Sequence, residues 1–148
     1  MAITDKHVAV LRAQLTGQHD EHLRLVKQLD ADEANREYAA LVTAAFIVAV
    51  ERRFIKNGEF ADESEVIDFV AQVRAKSPEM PDVIDPRLAE SLILHLLEKG
   101  PVIDADADTK FGHQLVLLAT LAGEEQFAGS ELEAFLSEVR SIAEDLLE

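Results

Sequence analysis

Thirteen consecutive residues, Tyr38-Ala-Ala-Leu-Val-Thr-Ala-Ala-Phe-Ile-Val-Ala-Val50, include only one that is not apolar, Thr43. A helix lying on a protein surface shows one apolar stripe, whereas a helix apolar all round is buried on every side. The run is too short to cross a bilayer, which needs about 20 apolar residues. Charged residues flank it, with Glu33, Arg36 and Glu37 before it and Glu51, Arg52 and Arg53 after it. The sequence therefore predicts a buried central helix over residues 31–57. Asp30-Ala-Asp-Glu33 is a capping-box arrangement that can start it. Asn57-Gly58 would end it, because glycine readily takes the left-handed conformation of a C-terminal cap.

The remaining apolar residues recur at helical spacing. Val8, Leu11, Leu15, His22, Leu25, Val26 and Leu29 predict a helical stretch over 5–29 that Gly17 kinks or divides. Asp62-Glu-Ser-Glu65 is a start signal, followed by Val66, Ile67, Phe69, Val70 and Val73 on one face. Ser77 to Asp85, with Pro78 and Pro81, is the one stretch that reads as an internal linker. Asp85-Pro86 then places an N-cap before a proline at the first helical position. Leu88, Ala89, Leu92, Ile93, Leu96 and Leu97 form the face of the next helix, which Gly100-Pro101 ends. Phe111, Leu115, Val116, Leu118, Ala119 and Leu121 mark another helix. A last one follows the capping box Ser130-Glu-Leu-Glu133 and carries Leu132, Phe135, Leu136, Val139, Ile142 and Leu146. No segment sustains period-2 alternation, so no sheet is expected.

These readings give an all-α fold, a compact bundle of five or six helices in a single domain spanning residues 1–148. Ser64-Glu65-x-x-x-Phe69-Val70-x-x-Val73-Arg74 resembles Ser130-Glu131-x-x-x-Phe135-Leu136-x-x-Val139-Arg140 at a constant offset. Two tandem three-helix units, 5–77 and 85–148, would explain the match. Any two capped amphipathic helices share such spacing, however, and repeat assignments normally rest on more than two copies.

Charge restricts the classes of partner. The net charge of −15 is uneven. Residues 1–58 are neutral, residues 59–99 carry −6 and residues 100–148 carry −9. Phosphate-binding surfaces are basic, and only Arg52, Arg53 and Lys56 cluster here, so nucleic acid and anionic membrane are not expected partners. An acidic C-terminal half suits a basic partner, although solubility alone also accounts for it. Met-Ala-Ile-Thr-Asp-Lys has no apolar run of the signal-peptide kind, which makes a cytoplasmic protein the expectation. With no cysteine there is no disulfide, thiolate nucleophile or Cys-ligated zinc.

Motifs that carry chemistry are few. Asp104, Asp106 and Asp108 resemble the start of a calcium loop. Position 6 of that loop would be Thr109 rather than glycine, and position 12 would be Leu115 rather than glutamate. A solvated loop, with Asp108 or Thr109 capping the following helix, is the favoured reading. His19 and His22 lie on one face of a helix and could present two imidazoles to a metal. No Glu-x-x-His pair of the di-iron kind is present, and His22 falls on the packing face in the series Val8, Leu15, His22, Leu29. These five residues are the candidate metal ligands, and no cofactor is expected. His95 and His113 read as boundary residues of their helices. The eleven serines and threonines include no G-x-S-x-G, and the six glycines form no phosphate cradle. Of Arg52 and Arg53, about 100° apart on a helix, one is expected to pair locally and the other to be solvated.

The function expected from this is non-catalytic binding of another protein. The alternative is a bundle holding a small ligand or metal in its core. A homodimer is narrowly favoured, because Leu94 lies off the apolar stripe of its helix and Leu115, Val116, Leu117 and Leu118 cannot all face one way.

Overall fold

A computed structural model describes residues 3–16, 20, 31–127 and 129–147. The fold is all-α, and among the described residues seven helices occur with almost no strand. They are α1 (Asp5–Leu15), α2 (Ala31–Phe54), α3 (Glu63–Arg74), α4 (Met80–Val83), α5 (Pro86–Leu96), α6 (Ala107–Glu125) and α7 (Gly129–Leu146). Two-residue strands β1 (Ile55–Lys56) and β2 (Glu59–Phe60) lie between α2 and α3. Contacts divide the chain into two compact units. One is built from Met1–Val48 and Ala122–Glu148, the other from Ala49–Leu121. The divisions fall inside α2 and α6 rather than in the stretch 77–85.

The apolar run of α2 is covered as expected. Leu41, Val42, Ala44, Ala45, Phe46, Val48, Ala49 and Val50 are buried, and no residue from 38 to 50 is exposed. In the first unit, α1 buries His7, Val8, Val10, Leu11 and Ala13, and α7 buries Leu132, Phe135, Leu136, Val139 and Ala143. The Phe127 and Phe135 rings pack 4.7 Å apart. The Tyr38 hydroxyl donates to Gln14 Oε1, and burial pushes the phenol above its ordinary range. Thr4 caps α1 reciprocally with His7: the Thr4 N–H donates to His7 Nδ1 at 3.0 Å, and the His7 N–H donates to Thr4 Oγ1 at 3.4 Å. A histidine here takes the place of the Glu or Gln usual in a capping box.

In the second unit, α3 and α5 make the most extensive helix–helix contact. Val66, Phe69, Val70 and Val73 are buried on α3, and Leu88, Ala89, Leu92 and Ile93 on α5. Phe54 meets Phe69 edge to face at 5.6 Å. Side chains also fasten the loops. Asp85 Oδ1 accepts from the Arg87 and Leu88 N–H groups and so caps α5. His113, buried on α6, accepts the Asp85 N–H at Nε2 (3.0 Å), while Nδ1 lies 2.9 Å from the Thr109 carbonyl. A carbonyl only accepts, so Nδ1 carries the proton and the ring is neutral in this arrangement. Ser91 Oγ donates to the Leu88 carbonyl and accepts from the Ile103 N–H.

Several local expectations need correction. The central helix ends at Phe54, not 57, and a hairpin stands where no sheet was expected. Asn57 (φ 54°) and Gly58 (φ 78°) both have positive φ, as a type I′ turn requires. They join the antiparallel pairs Ile55–Phe60 and Lys56–Glu59. Asn-Gly suits both a helix stop and a hairpin turn, and strands of two residues are too short to show alternation. The stretch 77–85 contains a helical turn, α4. The cap of α6 is Asp106, whose Oδ1 accepts the Thr109 N–H at 2.7 Å, while Asp108 and Thr109 already lie inside the helix. Ser130 lies inside α7, which begins at Gly129. Helix α5 stops at Leu96, before Gly100-Pro101. There the Lys99 N–H donates to the Leu94 carbonyl and the Glu98 N–H to the His95 carbonyl, a Schellman arrangement. Glu98 occupies the left-handed position (φ 60°) in place of glycine. Gly17 lies outside the described residues.

Candidate functional site

The first unit carries an open groove of about 330 Å³ between α1 and α7, lined by Asp5, Val8, Arg12, Glu133, Leu136, Ser137 and Arg140. Its geometry follows from helix arithmetic. Asp5 and Arg12 are seven residues apart on α1, and Glu133 and Arg140 are seven apart on α7, so each pair shares a helix face about 10 Å long. Arg12 binds Glu133 with two bonds, Nε to Oε2 at 3.0 Å and Nη2 to Oε1 at 2.7 Å. Arg140 Nη1 donates to Asp5 Oδ1 at 2.8 Å, and its Nη2 donates to the Ile3 carbonyl at 2.8 Å. The early residue of α1 meets the late residue of α7 and the reverse, so the two helices run antiparallel. Val8 and Leu136, both buried, lie between the ion pairs.

The groove is charged yet balanced within itself. Each guanidinium is already held by a carboxylate, and Arg140 by a main-chain carbonyl as well. Among the lining residues Ser137 supplies the hydroxyl, with no imidazole beside it to act as a base.

A second, smaller pocket of about 220 Å³ lies in the other unit, at the hairpin. Arg53, Phe54, Lys56, Glu59, Phe60, Ala61 and Glu65 line it. The Arg53 guanidinium lies 4.8 Å from the centre of the Phe54 ring and 5.9 Å from that of Phe69, a cation–π arrangement. The Lys56 ammonium caps the end of α2 by donating to the Arg52 carbonyl at 2.8 Å. The arginine pair is thus divided between a half-buried stacked side chain and an exposed neighbour.

Of the five candidate metal ligands, His19 and His22 lie outside the described residues. Asp104, Asp106 and Asp108 are all exposed but occupy different structures: a loop, a helix cap and the first turn of α6. The bond from the Thr109 N–H holds the Asp106 carboxyl below the usual carboxylate range. Among the described residues, no group of three or more His, Asp or Glu is placed to hold a metal ion. His95 is exposed, with Nδ1 3.2 Å from the Gly100 carbonyl. His113, expected at a boundary, is buried.

The groove residues Asp5, Arg12, Glu133 and Arg140 were not singled out from the sequence. Their signal was present, since 5 and 140 add to the same number as 12 and 133, as an antiparallel pairing requires. It becomes readable only once α1 and α7 are known to be partners. In comparisons with protein-family models, curated proteins and solved structures, the chain matches none.

Proposed function

We propose that this chain is a non-catalytic acidic protein that acts by binding another protein, and that the partner presents a basic surface. The observation that supports this most directly is the outward side of α7. Glu131, Glu138 and Asp145 recur every seven residues, are exposed, and share one face of the helix. The only basic residue of α7 is Arg140, and it is engaged with Asp5 and Ile3. Such a face steers a Lys- or Arg-rich surface and gives binding a salt-sensitive association rate. Among the described residues no helix is long and apolar enough to cross a membrane. A cytoplasmic partner and no nucleic acid fit the same charge.

Self-association through the helix face first suspected has less behind it. Leu94, Leu115 and Val116 are half-buried, and Leu117 and Leu118 are fully buried. The large exposed apolar side chains among the described residues are instead Phe60, Ile67, Val83, Ile103 and Leu146.

Cross-linked affinity isolation, followed by calorimetric titration of each purified candidate, tests this reading. The expected partner is basic, binds more weakly as salt rises, and is lost when Glu131→Lys, Glu138→Lys and Asp145→Lys are combined. Circular dichroism checks that the variant stays folded. Equal binding by that variant would remove the acidic face from the mechanism. The second reading, a small-ligand protein, draws on the groove between α1 and α7, whose volume is at the lower end for ligand sites. It requires a ligand that breaks the Arg12–Glu133 or Arg140–Asp5 pair. A ligand-induced rise in melting temperature, lost in Arg12→Ala, would favour it.

A further inference from the structure

The Asn57-Gly58 turn carries chemistry that the packing around it leaves unused. Both residues are exposed at the tip of the hairpin. The ladder beside them closes through Ile55–Phe60 and Lys56–Glu59, and the Ala61 N–H donates to the Phe54 carbonyl at 2.7 Å. No bond described in the turn uses the Gly58 N–H or the Asn57 side-chain amide. The space over Gly58 is open, since a Cβ added there would meet no atom within 4 Å. Glycine also brings no side chain of its own to shield its nitrogen.

We infer that Asn57 is a site of spontaneous deamidation, which leaves the chain with one more negative charge at the hairpin tip. The Gly58 nitrogen loses its proton to solvent base and attacks Asn57 Cγ. The new N–Cγ bond closes a five-membered succinimide, the Cγ–Nδ2 bond breaks, and Nδ2 leaves as ammonia. Water then opens the ring at one of its two carbonyls. Cleavage of N–Cγ gives aspartate in the ordinary chain. Cleavage of the bond between nitrogen and the main-chain carbonyl carbon gives isoaspartate, in which the chain runs through Cγ. Water and the side chain supply every atom, and no oxidant or reductant takes part.

The two products act differently on the hairpin. Asp-Gly suits a type I′ turn as well as Asn-Gly does, so the aspartate form keeps the Lys56–Glu59 pair. The isoaspartate form inserts one more backbone carbon into a two-residue turn, and that pair cannot close as before. Both put a carboxylate next to Lys56, which lines the pocket at the hairpin. The chain has one other asparagine, Asn35, followed by Arg36 inside α2. Within a helix the following N–H is directed at the carbonyl four residues back, so Asn35 serves as an internal reference.

The test is peptide mapping of the folded, full-length chain after storage in warm, mildly alkaline buffer made with heavy-oxygen water. The expected result is loss of the Asn57 amide, with one heavy oxygen incorporated, while the Asn35 peptide is unchanged. Two isomeric products should separate, the slower to form matching an Asn57→Asp standard and the other accepting methyl groups from an isoaspartyl methyltransferase. Asn57→Gln should lack the acidic species that accumulates on ion exchange. An Asn57 amide that persists as long as that of Asn35 would overturn the site. A single aspartate product without the isoaspartyl form would overturn the cyclic route.

Discussion

The two units are tied together internally by different polar devices. In the first, α1 and α7 are bridged by side-chain ion pairs at the surface: the Glu133 side chain is 59% exposed and that of Asp5 97% exposed. In the second, buried side chains reach main-chain groups: His113 holds the Asp85 N–H, and Ser91 holds the Leu88 carbonyl and the Ile103 N–H. Exposed pairs contribute roughly 0.2–1 kcal/mol each. Stranding a buried polar group costs about 1–3 kcal/mol. The bonds that look strongest, the bidentate Arg12–Glu133 pair among them, are therefore expected to matter less than one neutral imidazole. The position of α1 rests on Val8, Val10 and Leu11 more than on its charges, while the Asp85 N–H, just before α5, is held by a single buried side chain.

The largest expected effect ignores this difference. Phe46→Ala in the first unit and Phe69→Ala in the second should each cost about 3–5 kcal/mol in urea melts, because both rings are buried. A loss below about 1 kcal/mol at Phe46 would mean that the part of α2 in the first unit is not central to that unit. The next effect separates the units. His113→Ala should cost about 2–3 kcal/mol, combining a cavity with a stranded Asp85 N–H, and should speed hydrogen exchange at that amide. Unchanged exchange at Asp85 would show that the contact does not hold the loop.

Smaller still is the coupling between Arg12→Ala and Glu133→Ala in a double-mutant cycle, expected at about 0.2–1 kcal/mol and shrinking with salt. A coupling above about 2 kcal/mol would break the comparison, since it would put the surface pair level with the buried histidine.

The smallest effects depend on pH and have opposite signs. Burial, then Glu63, raises the Glu90 carboxyl above its ordinary value, against the opposing pull of Arg74 and Arg87. A raised carboxyl favours the folded state when protonated. Its contribution is complete below the ordinary glutamate range and is lost as pH rises through the folded value. Glu90→Gln should thus be neutral or slightly stabilising at pH 7, within about 0.5 kcal/mol, with the difference disappearing in acid. The Asp106 carboxyl is lowered by its bonds at the start of α6. Its contribution is present above the ordinary aspartate range and fades as pH falls through the folded value. Asp106→Ala should weaken the first turn of α6 at pH 7 and make no difference in strong acid. Melts across the acid range read both, and a common sign would contradict these assignments.

Much of the fold was determined by local sequence. Thirteen residues with one polar member can only be covered, and residues 38–50 are. The spacing of Val66, Phe69, Val70 and Val73 sets a helix face without regard to its partner, and Asp85-Pro86 starts a helix wherever it stands. These are properties of a few adjacent residues, and 3.6-residue periodicity expresses them directly. Tertiary structure decided what depended on a choice between two locally acceptable states or on a distant partner. Asn57-Gly58 suits both a helix cap and a hairpin, and the ladder from Phe54 to Ala61 decided for the hairpin. Asp108 and Thr109 were the caps expected from the sequence, and the start of α6 at Ala107 gave that place to Asp106 instead. His113 reads as a boundary residue from its own helix, and becomes a buried acceptor only because Asp85, 28 positions away, brings its N–H to the ring. The groove charges are separated by 121 and 135 positions, so their pairing follows from which helices pack together, a choice made by the burial of whole faces rather than by any local signal.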